Sequence, residues 1–239
     1  MELIEGELLR AAMDSRAFTL DALLDIAVQI ANGIAAAHDK GIVHRDIRPE
    51  NVMLRADGFV KVLEFGVAKW MHAVETTSQI DRHAMLTREG LLIGSASYVS
   101  PEEARGAGEG VDARSDVWSL GVVLYEMVTG HLPFRGDSPV EVICRILERE
   151  PRPLADHVES TPAELQTIVS RALTKDPQRR FQSMREFLAD LNTLRKELAI
   201  TASLEARSVP AHGTSTSIVE NRASPEATRG GMRSTSDRQ

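Results

Sequence analysis

Apolar residues recur at helical spacing in several long segments of this 239-residue chain. The clearest stripe predicts a helix over about 20–38, and its members are Leu23, Ile26, Ala27, Ile30, Ala31 and Ile34. Gly41 then interrupts the pattern. The segment 115–129 is apolar on most sides, which predicts a buried helix that ends at Gly130.

Three later helices are predicted from their first residues. Each start has Ser or Thr followed three positions later by Glu, which is the pattern of a capping box. The three starts are Ser138–Glu141, Thr161–Glu164 and Ser183–Glu186. In this motif the hydroxyl accepts a backbone N–H of the first turn, and the Glu carboxylate reaches back to the cap.

Short strands are predicted between the first two helices. Ile42-Val43, 51–54 and 59–63 have strand-like sequences, and Asp57-Gly58 is typical of a hairpin turn. From about 66 to 100 the chain has little periodicity, which indicates a long loop. The pattern as a whole predicts a mainly α fold with short β hairpins.

Composition narrows the class of protein. Apolar residues make up 42% and charged residues 26% of the chain, as in ordinary globular domains. The net charge of −7 argues against nucleic-acid binding, and Cys144, the only cysteine, excludes an internal disulfide. The N-terminus lacks a signal-peptide pattern, and no apolar run approaches the roughly 18 residues of a membrane span. We therefore expect a cytoplasmic protein without a membrane segment.

The composition shifts after about Glu197, where Ser, Thr, Gly, Ala and Arg dominate and large apolar residues become rare. Such a segment buries too little apolar surface to offset the entropy of ordering it. The sequence therefore predicts one folded domain over 1–197 and a disordered tail over 198–239.

Four motifs carry specific chemistry. They are His44-Arg45-Asp46 with Asn51 five residues after the Asp, Ser100-Pro101-Glu102, the run from Asp112 to Gly121, and the run from Lys175 to Phe181. In this order they resemble the motifs of protein Ser/Thr kinases, in particular the eukaryotic-type kinases of bacteria, over about residues 1–194. The resemblance implies the fold of the larger, C-terminal lobe of a protein kinase.

The resemblance also implies catalytic roles and the cofactors ATP and Mg²⁺. In the kinase catalytic loop the Asp, here Asp46, accepts the proton of a substrate hydroxyl, and the Asn, here Asn51, holds magnesium. Glu64 stands where the family has a second magnesium-binding residue. Arg48 replaces the family's Lys and is expected to steady the transferring phosphate.

Further residues are assigned by the same resemblance. Arg45 is expected to pair with a phosphorylated activation segment. The candidate phosphorylation sites of that segment are Thr76, Thr77, Thr87 and Ser95. Three residues have implied structural roles: Asp116 caps the backbone of the catalytic loop, and Arg180 pairs with Glu102.

Two departures from the family pattern stand out. The motif Asp-Phe-Gly is Glu64-Phe65-Gly66 here, which keeps the negative charge but adds one methylene. In addition, no Gly-rich loop or phosphate-binding Lys precedes the catalytic loop, so we expect the small lobe to be missing. The first residues then resemble the hinge. Leu3, Ile4 and Met53 would contact adenine, and Glu7 would reach the ribose.

Three functions remain open at this point. The first is a Ser/Thr protein kinase that acts on protein substrates, with activity impaired in this chain. The second is a scaffold or regulatory binding module, in which a partner covers the exposed face of the nucleotide cleft. The third is a gene fragment without function.

Overall fold

The computed structural model describes residues 5–65, 96–106 and 111–208. The helices of this part are α1 (Leu9–Ser15), α2 (Leu20–His38), α3 (Pro101–Ala104), α4 (Ala113–Thr129), α5 (Pro139–Glu148), α6 (Ala163–Ala172) and α7 (Met184–Ser208). Three single turns of 3₁₀ helix lie at Pro49–Asn51, Leu154–Asp156 and Pro177–Arg179. The strands β1 (Glu7–Leu8), β2 (Val52–Leu54) and β3 (Val60–Val62) form one antiparallel sheet in the order β1-β2-β3. The predicted fold class is therefore confirmed.

Helix α4 lies at the centre of the domain and is buried on all sides, with every residue from Ser115 to Met127 in the interior. It packs against α2, α6 and α7. Its first turn reaches the catalytic loop, and its last turn reaches α1. A helix without a solvent-facing stripe suits this position, because a core helix has neighbours all round.

Helices α2 and α4 follow the sequence pattern closely. Helix α2 has the predicted bounds, and the Oγ1 atom of Thr19 accepts a hydrogen bond from the backbone N–H of Ala22 at 3.3 Å. Helix α4 ends at Gly130, whose φ of +69° is the left-handed conformation that glycine adopts most readily. By length and composition α2 is also apolar enough to cross a membrane, although half of its apolar window is buried within the fold.

The predicted hairpin is confirmed, and it is fixed to α2. Strands β2 and β3 pair in antiparallel register, and Gly58 at the turn has a φ of +85°. The amide of Gln29 donates to the carbonyl of Gly58 at 3.1 Å and accepts from the N–H of Val60 at 2.9 Å. This side chain ties the hairpin to α2 and thereby places β3, which leads directly to Glu64.

Two predictions about local structure are wrong. Ile42-Val43 forms no strand; instead the N–H of Ile42 donates to the carbonyl of Ala37 at 3.0 Å, closing the end of α2. Thr161 does not cap α6, which begins at Ala163. The cap position is held by Pro162, which has no side-chain acceptor, and the hydroxyl of Thr161 donates to the carbonyl of Val158 at 2.6 Å.

The other two predicted caps are confirmed in part. The hydroxyl oxygens of Ser138 and Ser183 accept the backbone N–H groups of Glu141 and Glu186, at 3.2 and 3.1 Å. The two Glu carboxylates, however, accept from the N–H one residue before each cap, at Asp137 and Gln182. Both helix starts are therefore capped, by a looser form of the motif.

The predicted tail begins too early. Helix α7 continues to Ser208, so residues 198–208 are helical rather than disordered. Leu198 still packs against the core, and the following Ala and Leu residues favour a helix even though 199–204 are exposed. The remainder of the predicted tail, from 209 to 239, lies outside the described residues.

Candidate active site

The backbone of the catalytic loop is held by one buried carboxylate. Asp116, in the first turn of α4, accepts the N–H of His44 and the N–H of Arg45, each at 2.8 Å. The Nε2 atom of His38 lies 2.7 Å from the same carboxylate. Arg45 has a φ of +64°, a strained value for a residue with a side chain. The predicted capping role of Asp116 is confirmed, and these contacts hold the strained residue in place.

His44 joins the catalytic loop to the segment after β3. Its Nδ1 atom accepts the N–H of Asp46 at 3.2 Å, so Nε2 carries the proton and donates to the carbonyl of Leu63 at 2.8 Å. Its ring meets the ring of Phe65 edge-on, with centroids 4.7 Å apart. His44 thus fixes the residues on both sides of Glu64 beside the loop.

Asp46 and Asn51 are in direct contact. The side-chain N–H₂ of Asn51 donates to the carboxylate of Asp46 at 2.6 Å and to its backbone carbonyl at 2.9 Å. Burial raises the pKa of Asp46, the nearby charge of Glu64 adds to this rise, and the Asn51 hydrogen bond and the Arg48 charge oppose it. Asn51 is thus in direct contact with Asp46, and Glu64 is near enough for its charge to act on the Asp46 carboxyl.

The atoms at this site suit magnesium. The carboxylates of Asp46 and Glu64 and the amide oxygen of Asn51 are hard oxygen donors, which Mg²⁺ prefers. The side-chain N–H₂ of Asn51 donates to Asp46, and none of the described residues donates a hydrogen bond to its Oδ1 atom. Glu64 is exposed and has a φ of +61°, an unusual backbone conformation for a residue with a side chain. By their chemistry these oxygen donors suit the ion that the resemblance implies, while the His, Cys, Asp and Glu side chains of the described residues form no group of three that could hold a metal.

Arg48 is already engaged. Its Nε–H donates to the carboxylate of Glu50 at 2.8 Å, within the same turn. Its charge still reaches Asp46, where it favours the ionised carboxylate. The contact with a phosphate remains a prediction, in which the Nη groups would act while Nε stays on Glu50.

The nucleotide side of the site is described only in part. Strand β1 pairs with β2, which places Leu8 opposite Met53 in the register. The carboxylate of Glu7 accepts from Arg16 at 3.0 Å, and both side chains are exposed. Leu3 and Ile4 lie outside the described residues. Contacts of Met53 with adenine and of Glu7 with ribose therefore remain predictions.

Of the activation segment, the structure describes only the last residues, from 96 onward. Its four candidate hydroxyls, Thr76, Thr77, Thr87 and Ser95, lie outside the described residues. Arg45, the residue expected to pair with a phosphorylated segment, has a buried Nε atom without a hydrogen-bond partner among the described residues. The predicted pairing therefore stays a prediction.

The structural pair is confirmed. The guanidinium of Arg180 donates to both carboxylate oxygens of Glu102, each at 2.7 Å, and Ser115 donates to the same carboxylate at 2.8 Å. Burial acts to raise the pKa of Glu102, but the hydrogen bonds from Arg180 outweigh it and hold this pKa below its ordinary value. The pair joins α3 to the loop before α7 and lies inside the domain.

Sequence reasoning missed a second polar cluster, which lies beside the catalytic loop. Arg10 on α1 contacts Glu50 of the catalytic loop, Glu126 at the end of α4 and Tyr98 before α3. Glu50 lies between Asp46 and Asn51 in the catalytic-loop motif, but the motif assigns no role to it. The other members lie far apart in the chain and belong to no motif, so the sequence offered no signal that they meet.

Comparisons with known proteins agree with this geometry. The protein kinase domain family matches residues 1–190. A probable serine/threonine-protein kinase of Clostridium perfringens is 35% identical over 204 residues, which cover 85% of this chain and 28% of that protein. The serine/threonine-protein kinase PknB of Mycobacterium tuberculosis is 38% identical over 192 residues, 80% of this chain and 29% of PknB.

A probable serine/threonine-protein kinase of Streptomyces coelicolor is 39% identical over 217 residues, which cover 89% of this chain and 31% of that protein. The chain thus spans about three tenths of the length of the curated relatives that it matches.

Proposed function

Since this chain belongs to the protein kinase family, we propose that it takes part in phosphoryl transfer from ATP to Ser or Thr hydroxyls of protein substrates. One observation carries the proposal. Asn51 holds the carboxylate of Asp46 at 2.6 Å, on a loop whose backbone is fixed by the buried Asp116. Phosphoryl transfer depends mainly on positioning and on charge stabilisation, and this arrangement supplies the first.

Asp46 is the proposed acceptor of the hydroxyl proton. Asn51 occupies one of its carboxylate oxygens, which leaves the other to accept a hydrogen bond from the substrate. A positioned base contributes about 10² to 10⁴ in rate to such reactions. Asn51 and Glu64 are the proposed holders of Mg²⁺, which would neutralise the charge of the nucleotide phosphates.

Glu64 is the residue expected to limit the rate. Its carboxylate lies one methylene further from the backbone than that of Asp, and Mg²⁺ tolerates little change in ligand geometry. A displacement of about 1 Å at such a site costs on the order of a hundredfold in rate. The proposed activity of this chain is therefore low.

A transfer assay with labelled ATP, magnesium and a Ser/Thr-containing acceptor protein tests the proposal. We expect Asp46→Asn to abolish transfer and Glu64→Asp to raise it. Asp190→Asn is the control, because this exposed carboxylate on α7 makes only a long ion pair with Arg171. Transfer that persists unchanged in Asp46→Asn would show that the assigned base is wrong.

A second candidate function is a scaffold or regulatory module with a partner on the nucleotide face. It is favoured by Glu64 in place of Asp and by Arg48, which Glu50 already binds. A thermal-shift titration with magnesium and ATP separates the two candidates, because a ligand at 100 times its Kd adds about 2.7 kcal/mol of stability. The absence of a shift at millimolar nucleotide would favour the scaffold. In either case a cytoplasmic location remains a prediction.

A further inference from the structure

Arg10 lies at the meeting point of three separate segments. Its Nε–H donates to Glu50 at 3.0 Å, and its two Nη groups donate to the carboxylate of Glu126 at 3.0 and 3.1 Å. One Nη group also donates to the hydroxyl of Tyr98 at 2.6 Å. That hydroxyl in turn donates to Glu126 at 2.6 Å. These contacts span 40, 88 and 116 positions of the chain.

The interior of this cluster is fully paired. Glu126 is 6% exposed and Tyr98 is 5% exposed, so their polar atoms depend on one another and on Arg10. Burial acts to lower the pKa of Arg10, but the hydrogen bond and charge of Glu126 outweigh it, and the net shift is upward. Burial and then the charge of Glu126 raise the pKa of Tyr98. Only a planar, forked cation reaches all three partners at once.

The cluster leads directly to the catalytic residues. Glu50, which Arg10 holds, lies in the 3₁₀ turn Pro49–Asn51, and Asn51 is the residue that contacts Asp46. Glu50 also binds Arg48. At the other end, Tyr98 belongs to the last part of the activation segment and lies two residues before Ser100, which caps α3. A shift at Tyr98 therefore has a continuous path of hydrogen bonds to the catalytic loop.

We propose that Arg10 is a positioning residue that couples the end of the activation segment, at Tyr98, to the catalytic loop, at Glu50. The catalytic consequence of this coupling rests on the proposed kinase function; the coupling itself does not. When Tyr98 is in its observed place, Arg10 is fixed by Glu126 and holds Glu50. When Tyr98 leaves, Arg10 loses one of its partners and the loop loosens.

Hydrogen exchange on the full chain tests the coupling without any catalysis. We expect Arg10→Met to speed exchange about tenfold at residues 44–51 and 96–100, and less at the α7 residues 187–198. Arg195→Met is the matched control, because Arg195 is also a half-buried arginine whose recorded partner is one carboxylate, Asp25. It should leave both segments unchanged.

A double-variant cycle separates coupling from simple loss of packing. Tyr98→Phe should speed exchange at residues 44–51 when Arg10 is present, and should add nothing there when Arg10 is already Met. Arg10→Lys restores the charge but not the fork, so it should behave like Arg10→Met at 44–51. If Tyr98→Phe leaves 44–51 unchanged, or if its effect is the same in both backgrounds, the proposal is overturned. Should Arg10→Met fail to fold, the Lys variant takes its place in the cycle.

Steady-state kinetics supply the catalytic readout. In a chain that transfers phosphate, Arg10→Met and Arg10→Lys should lower kcat about tenfold and leave KM for ATP within about twofold. If kcat is unchanged, Arg10 has no positioning role. If the unaltered chain transfers no phosphate while the exchange cycle gives the expected result, the kinase proposal fails and the coupling stands.

Discussion

Single buried side chains decide the geometry of the catalytic loop. Asp116 binds two consecutive backbone N–H groups, and His44 accepts a third at Asp46. An unpaired N–H at a buried position is costly, so each of these acceptors favours one loop conformation over others. The positive φ of Arg45 is stable only because its neighbours are held in this way.

The buried ion pair of Glu102 and Arg180 makes the stability of the fold depend on pH. The pKa of Glu102 is held below its ordinary value of 4.5, so the folded state binds fewer protons near that pH than the unfolded state does. Its stabilising contribution is therefore complete above pH 4.5 and is lost as the pH falls through the lowered pKa.

We predict that Glu102→Gln lowers the free energy of unfolding by about 3 kcal/mol at pH 7, since Arg180 is left buried without a counter-charge. Urea unfolding from pH 7 down to about pH 3 should show a difference from the unaltered chain that is constant above pH 4.5 and shrinks only below it, as Glu102 becomes protonated. Glu159→Gln is the control, because Glu159 is exposed. A difference that grows toward acid pH would contradict the assignment.

At the scale of single residues, the sequence predicts the contacts of residues that belong to a known motif. Asp116, Glu102 and Arg180 were identified by their places in known motifs, and their contacts are as expected. The contact between Arg10 and Glu126 was not predicted, because it depends on how α1 and α4 pack. Side-chain contacts across more than a hundred positions leave no local pattern to find.

Among the elements, α4 shows how closely the helices approach. A methyl group added at Gly121 would lie 2.8 Å from the Cβ atom of Ala172 on α6 and 3.2 Å from Leu173. Contacts this short require one helix to move. In contrast, a methyl group at Gly33 on α2 meets only Val62, at 3.8 Å, which is ordinary contact.

We predict opposite effects for the same substitution at these two glycines. Gly121→Ala should destabilise the fold by about 1–3 kcal/mol, because overpacking exceeds the gain in helix propensity. Gly33→Ala should stabilise it by about 0.5–1 kcal/mol, since the site is open and helical. Urea unfolding of the two variants measures the change in the free energy of unfolding. A change of the same sign in both would contradict the assignment of Gly121 as the crowded position.

Helix periodicity predicted α2 and α4 well, because their apolar residues repeat over several turns. Short signals were less informative. Ile42-Val43 has strand-like side chains, but its backbone closes α2, and the helix after Thr161 begins one residue later than the capping box predicts, with Pro162 at the cap. In both cases the local backbone path decides the structure, and residue type alone does not specify that path.

At the scale of the whole molecule, α7 closes the domain. It packs against α2, α4 and α6, and its side chains Phe187, Leu191 and Leu194 are buried. From 199 to 204 every residue of the helix is exposed. The packed part of α7 therefore ends near Leu198, close to the boundary at 197 that composition suggested, although the helix itself runs on.

The last prediction follows from this division of α7 into a packed part and an exposed part. A chain that ends after Leu198 should have a free energy of unfolding within about 0.5 kcal/mol of that of the full chain, because residues 199 to 204, which are among those removed, bury little surface. Leu191→Ala, in the packed half of the same helix, should cost about 2–5 kcal/mol because it leaves a cavity among α2, α4 and α6. Urea unfolding of both, with the full chain as reference, gives the comparison. A loss of several kcal/mol on shortening would show that residues after Leu198 stabilise the domain, and the folded unit would then extend beyond the core around α4.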